Sequence, residues 1–485
     1  MKKIYLHLFS LSVLLMGTTA CSLNELPTDG LQDNQVTSTV QGLTAATAGN
    51  YSFALKQQFI RNLYYMNELP GDNVSLSGTT TDALFYSYTY GHLPNQLNSY
   101  EIWQECYRII AGANRLIPKI DENASEEFSQ LKGENIFLRA WAHLILVDLF
   151  AKPYTLQGVN PGTELGIPVV LSYNPDEKPA RNTLQETYNA IVADLLKSAD
   201  LMGSDKSSVY ASKEVAWALL SRVYLYMGQN DKAIEYADKV INSDRYELDN
   251  ADNYKKYFTI QPENNPETIF AIKFAQKNDL GYGSIGSMYN ADGGYGELYA
   301  SVQYMKLLNK HPEDLRHSFV AVQYKAGTTD TLKRNGDPKI FVFKFSNQGA
   351  TSSMSSPAII RLAEVYLNRA EANAKLGKNT EALADVNTIR SRAAIPASAL
   401  YTTGDLKGQP SVLDAVLEER QLELSFEGFR PRDLFRNNRT LVREYPGFHP
   451  LTDGTKQIIQ PTNPRIIHLI PEQEIILNPN LKPNL

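Results

Sequence analysis

The spacing of apolar residues between Val215 and Ser243 constrains this chain more than any other feature of it. Trp217, Leu220, Tyr224 and Met227 recur three or four apart, which puts them on one face of a helix. Gly228 breaks that helix, and Ala233, Ile234, Ala237, Val240 and Ile241 mark the apolar face of a second. The pattern Trp-x2-Leu-x3-Tyr…Gly-x4-Ala is that of a tetratricopeptide hairpin, in which small residues let two helices approach closely. A second unit, RLAEVYLNRAEANAKLGKNTEALADVNTIR from Arg361, repeats the spacing with Gly377 and Ala382. Ser356-Pro357 supplies a start signal for its first helix, an N-cap followed by proline in the first turn. A third pairing joins a helix near 134–150 to one near 183–202, across a loop holding Pro153, Pro161, Pro168, Pro175 and Pro179.

These hairpins are not tandem. Long insertions divide them, so the pattern predicts a helical scaffold carrying loops, not an open solenoid. Strand signals are short: 268–274, and 340–345 after an Asn335-Gly336 turn. The expected fold is mostly α with minor β-hairpins, as one continuous unit.

At the N-terminus, Lys2 and Lys3 precede the apolar stretch 4–16, and Gly17-Thr18-Thr19-Ala20 sets small residues directly before Cys21. That is the layout of a secretory signal peptide. Its apolar core is shorter than the roughly 20 residues a membrane span needs. Small residues before a lone cysteine resemble the lipobox of bacterial lipoproteins, where the signal is cut off and the cysteine acylated. Residues 1–20 are then removed, and Cys21 is a lipid anchor. Their loss deletes two lysines and no acids, so the formal net charge moves from −6 to about −8. That balance argues against nucleic acid and against a polybasic membrane surface. The other cysteine, Cys106, reads as a buried structural thiol.

Motifs for chemistry are few. Apart from His7 in the signal segment, the histidines form no His-x-x-x-His pair at zinc-binding spacing, and no metal site is expected. Gly281-Tyr282-Gly283-Ser284-Ile285-Gly286 matches G-x-G-x-x-G, but the following Asp292-Gly293-Gly294 denies it the helix a dinucleotide site requires. No cofactor is expected, and no G-x-S-x-G elbow is present. Glu364, Glu371, Glu418 and Glu419 lie on regular helices, where solvated faces and ion pairs are the rule. Arg430, Arg432 and Asp433 after Gly428 form either a structural network or an interface.

What remains is aromatic loop material. The segment from Gly281 to Gly296 holds six glycines, with Tyr282, Tyr289 and Tyr295 among them. Earlier, Asp72-Asn73 precedes a Ser/Thr/Gly run and then Phe85-Tyr86-Ser87-Tyr88-Thr89-Tyr90. If extended, this alternation sets Tyr86, Tyr88 and Tyr90 on one side. A half-buried strand and an ordinary surface loop are the plain readings of the two segments. A ligand face made of Asp72, Asn73, Tyr86, Tyr88, Tyr282, Tyr289 and Tyr295 is the functional one, since loops on rigid scaffolds often bind.

Four further stretches stand out: FLRAWAHLILVDLFAKPY running on to GIPVVL, PAIIRLAEVYLNRAEANAKLG, LEERQLELSFEGFRPRDLFR and IPEQEIILNPNL. With the lipobox they closely resemble the SusD/RagB family of nutrient-binding outer-membrane lipoproteins, over essentially the whole mature chain. The resemblance implies a SusD-like fold across 21–485, with an N-terminal half to about 245 and a C-terminal half from about 265. It implies a tetratricopeptide scaffold, a loop-rich ligand face and a SusC-like TonB-dependent transporter as partner. The implied function is non-catalytic capture of oligosaccharide at the cell surface. Oligopeptide capture on the same fold, as in RagB-type members, is the alternative, and a lipid-anchored glycoside hydrolase a remoter one. One departure is that the residues after Cys21, Ser22-Leu23-Asn24-Glu25, are only weakly acidic, where surface-exported lipoproteins tend to carry an acidic segment.

Overall fold

The structure, a computed structural model, describes residues 37–76, 83–290, 294–334, 337–444 and 456–485. Cys21 and the expected signal peptide lie outside the described residues. Helices α1 (Val40–Ser52) and α2 (Gln57–Glu68) lead through strand β1 (Val74–Leu76) and helix α3 (Ala83–Thr89) to α4 (Leu97–Leu116) and α5 (Glu126–Phe150). Helices α6 (Leu184–Leu201), α7 (Lys213–Tyr226) and α8 (Asn230–Ile241) follow. Ser125 caps α5 by accepting from the Phe128 N–H, with Glu126 and Glu127 in the first turn where the helix dipole favours acids. Thr183 and Glu186 close a capping box at the start of α6.

α7 and α8 form the first predicted hairpin. Gly228 turns it at φ +72°, a conformation that suits glycine. Leu220, Tyr224 and Met227 are buried as their spacing requires, while Trp217 is half-buried. α5 packs along α6, so the third predicted pairing also forms across its proline-containing loop.

The chain continues through β2 (Thr268–Ala271), α9 (Ile285–Tyr289), β3 (Leu298–Ala300), α10 (Val302–Leu308) and β4 (Val320–Val322). Then come β5 (Lys333–Arg334), β6 (Asp337–Pro338), β7 (Ile340–Val342) and β8 (Ala358–Arg361). Helices α11 (Leu362–Lys375), α12 (Asn379–Arg392), α13 (Val412–Glu423) and α14 (Arg430–Arg436) precede β9 (Leu441–Arg443), β10 (Gln457–Ile459) and α15 (Glu472–Leu477). α11 and α12 are the second predicted hairpin, turned at Gly377 with φ +74°.

The strands are short antiparallel pairs: β1 with β3, β2 with β8, β4 with β7, β5 with β6, and β9 with β10. β5 and β6 flank the predicted Asn335-Gly336 turn, which itself lies outside the described residues. Ser356-Pro357 does not start a helix. The chain first runs extended as β8, pairing Arg361 with Thr268 and Ala358 with Ala271, and only then turns helical at Leu362. A neighbouring strand satisfies the backbone there, which no local cap signal reveals.

The alternation at Tyr86, Tyr88 and Tyr90 does not make a strand either. Ala83–Thr89 is helical, and Tyr88 is buried with the Arg443 guanidinium 4.1 Å from its ring centroid. The largest apolar cluster takes residues from Ala54 to Leu481, so both ends of the described chain close over one core.

A second kind of interior lies under α11 to α14. Arg361 reaches Glu267, Glu423 and Glu427, while Arg316 reaches Asp314 and Glu419. Arg436 holds Glu371 and Asp433, and Arg420 holds Asp433 as well. All of these side chains are buried. A buried charge is tolerated only when paired and hydrogen-bonded, and here every arginine is answered by carboxylates.

Candidate functional site

Asp72 and Asn73 sit at the turn between α2 and β1, and both are buried. Arg430 at the start of α14 donates to Asp72 Oδ1 at 2.8 Å and Oδ2 at 3.1 Å. Ser301 Oγ donates to the Asp72 carbonyl at 2.7 Å, and the Ser301 N–H to the Asn73 carbonyl at 2.8 Å. Asn73 Nδ2 donates to Glu68 at 2.9 Å, and Gln421 donates to Asn73 Oδ1 at 3.0 Å. Glu68 also accepts from the Gly428 N–H at 2.9 Å, and its burial pushes the carboxyl up to about 7. Asp72 and Asn73 are therefore interior struts where the sequence suggested an open ligand face: their side chains tie the turn before β1 to α2, α13 and α14, and their carbonyls hold Ser301 just after β3. The same correction applies to Tyr88 and Tyr289. Tyr289 is buried in α9, stacked at 6.0 Å on Phe345, and burial holds its hydroxyl well above the usual tyrosine range.

The glycine-rich segment is less loop-like than its composition suggests. Gly281–Gly283 is a 3-10 turn, and the whole of α9 is buried. Packing of Ile285 and Met288 against the core supplies the order that periodicity in so short a stretch does not signal. Tyr282 and Tyr295, at its two ends, emerge from this base. They are 57% and 56% exposed, and their rings meet at 5.1 Å between centroids and 71° between planes. The result is an aromatic corner with two open faces.

One buried residue fixes that corner. Ser287 Oγ donates to the Tyr282 carbonyl at 2.6 Å, and the Ser287 carbonyl accepts from the N–H groups of Tyr295 at 2.6 Å and Gly296 at 3.1 Å. A side chain at Gly294 would strike the Ser287 and Asn290 carbonyls, so the return of the chain past α9 needs glycine there. Gly281 donates to Asp279, whose other oxygen accepts from Ser353 at 2.9 Å. On the far side Lys339 Nζ donates to the Gly296 carbonyl at 2.9 Å. Sequence reasoning missed Ser287, because a serine among glycines carries no signal of what its carbonyl will hold.

β3 begins three residues after Tyr295, with Leu298 paired to Leu76 at the end of β1. The struts on Asp72 and Asn73 thus set the height at which the corner stands. Tyr86, on α3 beyond β1, is half-buried and packs against Phe85 at 5.9 Å. Of the proposed aromatic set, the structure brings Tyr282 and Tyr295 together at the surface and leaves Tyr86 partly open. Among the described residues no group of three or more His, Cys, Asp or Glu is placed to hold a metal ion.

Comparison with known proteins adds the family context. Residues 174–485 match the sequence model of the SusD family, and residues 27–225 match that of a family described as starch-binding and associating with the outer membrane. SusD-like protein P2 of Formosa agariphila is 26% identical over 97% of each chain. A SusD superfamily protein from Bacteroides thetaiotaomicron superposes with a TM-score of 0.82 at 29% identity, covering 92% of this chain and 100% of that one. A putative sugar binding protein from Bacteroides vulgatus gives 0.80 at 27% identity, covering 92% and 98%.

Proposed function

Because this chain belongs to the SusD family, we propose that it captures oligosaccharide at the outer membrane, catalyses no reaction, and hands its ligand to a SusC-like TonB-dependent transporter. The observation that carries the ligand half is the exposed Tyr282–Tyr295 corner. Sugar rings present apolar C–H faces that lie well on aromatic rings, and two rings set at 71° engage two such faces at once. Covering about 40 Å² of apolar sugar surface per ring contributes roughly 1 kcal/mol at ~25 cal/mol/Å². Two or three such contacts with hydrogen bonds give a Kd of about 1 mM to 10 μM. That strength suits capture followed by release.

The description of the family matched by residues 27–225 and the putative sugar-binding relative support glycan over peptide. Non-catalysis is supported by the state of the helical acids. Glu364, Glu371 and Glu419 are each committed to a buried arginine, which leaves them poorly suited to move protons for a substrate. Weak capture is useful only where a transporter stands close enough for transfer at high effective concentration, hence the barrel partner. Anchoring through acylated Cys21 on the outer face of the membrane completes this reading.

The test is a binding screen of the chain from Ser22 onward against soluble oligosaccharides and against oligopeptides, followed by calorimetry. Glycan binding that falls about fivefold in each of Tyr282→Ala and Tyr295→Ala, from ~1 kcal/mol per ring, is the expected result. Peptide binding without glycan binding would move the assignment to the RagB-like alternative. Glycan binding untouched by both substitutions would place the ligand elsewhere.

A further inference from the structure

A second surface of the molecule is held open against the ordinary hydrophobic drive. Leu477 of α15, 65% exposed, and Tyr173, 49% exposed, line one cleft of about 460 Å³, and their chain neighbours Ile476 and Leu171 are exposed as well. Trp103 and Tyr107 of α4 lie at the base of the cleft. Isolated exposed apolar residues are ordinary, but two that line one cleft over an apolar base, each beside a further exposed apolar neighbour, mark a contact site.

These side chains are not exposed through slack. Asn114 donates to the Val170 and Ser172 carbonyls at 2.9 and 3.3 Å, and Arg139 to the Leu171 carbonyl at 3.1 Å. The Val170 N–H donates to His143 Nε2 at 3.2 Å. Asn114, Arg139 and His143 are all buried, so the core itself fixes the backbone that turns Leu171 and Tyr173 outward. The opposite wall is pinned as firmly, with Asn478 donating to the Pro179 carbonyl and Asn480 to the Lys178 carbonyl, both at 2.8 Å. A cleft with both walls tied in advance loses little conformational freedom when something fills it.

Charge selects the occupant. The lining carries the carboxyl groups of Asp176, Glu177 and Glu474 against the single ammonium of Lys178. A second copy would bring the same acidic wall to face this one, and an anionic lipid surface repels it likewise. An aliphatic side chain as exposed as Leu477 suits a protein better than a sugar. We infer that this cleft is the docking surface for the transporter, filled by a protein loop that presents an apolar side chain beside a lysine or arginine. The inference rests on the transport reading given above, and it adds where the partner binds and with what chemistry.

Photo-crosslinking in native membranes tests it, with benzoylphenylalanine in place of Tyr173 or Leu477 and, as a control, in place of Lys232 on the exposed face of α8. The expected result is one adduct with an outer-membrane β-barrel from both cleft positions and none from the control. The crosslinked barrel peptide should hold Lys or Arg within a few residues of the attachment point. The charge reversal Asp176→Lys/Glu177→Lys should cut the yield at least tenfold while the soluble protein keeps its melting temperature. Adducts only with a second copy or with lipid overturn the inference. So does a barrel captured by a general lysine crosslinker but never from positions 173 and 477, a result that leaves the transport reading standing. A barrel captured by neither method defeats the transport reading, and the inference with it.

Discussion

Arg430 grips both carboxylate oxygens of Asp72, at 2.8 and 3.1 Å, although the two residues lie 358 positions apart in the chain. The pair joins the turn before β1 to the first turn of α14, and so ties the strand beside the aromatic corner to the most charge-rich part of the interior.

Replacing one partner should therefore cost far more than a surface pair would. Arg430→Ala leaves the Asp72 carboxylate buried without its counter-charge, and a loss of about 3–5 kcal/mol is expected in urea denaturation. Asp72→Asn with Arg430→Gln together should lose less, because no lone charge remains. A loss under about 1 kcal/mol for Arg430→Ala would mean that water reaches Asp72 and that the pair is no clamp.

The tyrosines should divide by burial, not by their neighbours in sequence. Tyr88→Ala and Tyr289→Ala empty core sites and should cost about 3–5 kcal/mol each. Tyr282→Ala and Tyr295→Ala should stay within roughly 0.5 kcal/mol of the parent, since exposed rings support little core. Thermal melts of the four variants check this. Equal destabilisation across the set would show that the corner is part of the core.

Acid should weaken the fold through its buried histidines. The rings of His92 and His468 lie 4.3 Å apart between centroids, tilted by 50°, each with Nε2 on a backbone carbonyl. Burial pulls His468 down to about 4 and His92 well below its ordinary value, while burial and the nearby Arg139 pull His143 down to about 3. A histidine depressed in the folded state contributes stability that is complete above its unfolded value near 6.5 and is lost as pH falls below it. Glu68, raised to about 7, acts in the opposite sense between its ordinary 4.5 and 7, and so offsets one of the three. The melting temperature should fall between pH 6.5 and 4.5, and His468→Gln, which keeps a donor for the Met66 carbonyl, should flatten the fall. An unchanged slope in that variant would remove His468 from the account.

Membrane attachment should depend on one atom. Cys21→Ala removes the sulfur proposed to be acylated and should release folded protein from the membrane fraction after detergent-free washing, since two or more acyl chains make attachment stable. Equal retention of the variant would refute the anchor.

Much of the scaffold is legible in the sequence, because a helical hairpin is a local object. Leu220, Tyr224 and Met227 declare one face by spacing alone, and Gly228 and Gly377 mark turns whose positive φ suits glycine. Charge signs are legible too, but not which charges meet: nothing near Arg361 announces Glu267, Glu423 and Glu427 as its partners.

The aromatic segments show where such reading stops. Alternating tyrosines at 86, 88 and 90 fit an extended chain, yet the segment is helical, because no local pattern states whether a strand waits beside it. Tyr282, Tyr289 and Tyr295 share one glycine-rich stretch, yet two stand in solvent and one lies in the core. The sequence by itself determined the helical hairpins, the turns between them and the supply of aromatic rings, since each depends on residues a few positions apart. Only the tertiary structure decided which rings face outward, that Asp72 and Asn73 are struts, and that Ser287 holds the corner. Burial is set by whichever distant segment packs against a residue, and no short window of sequence contains that segment.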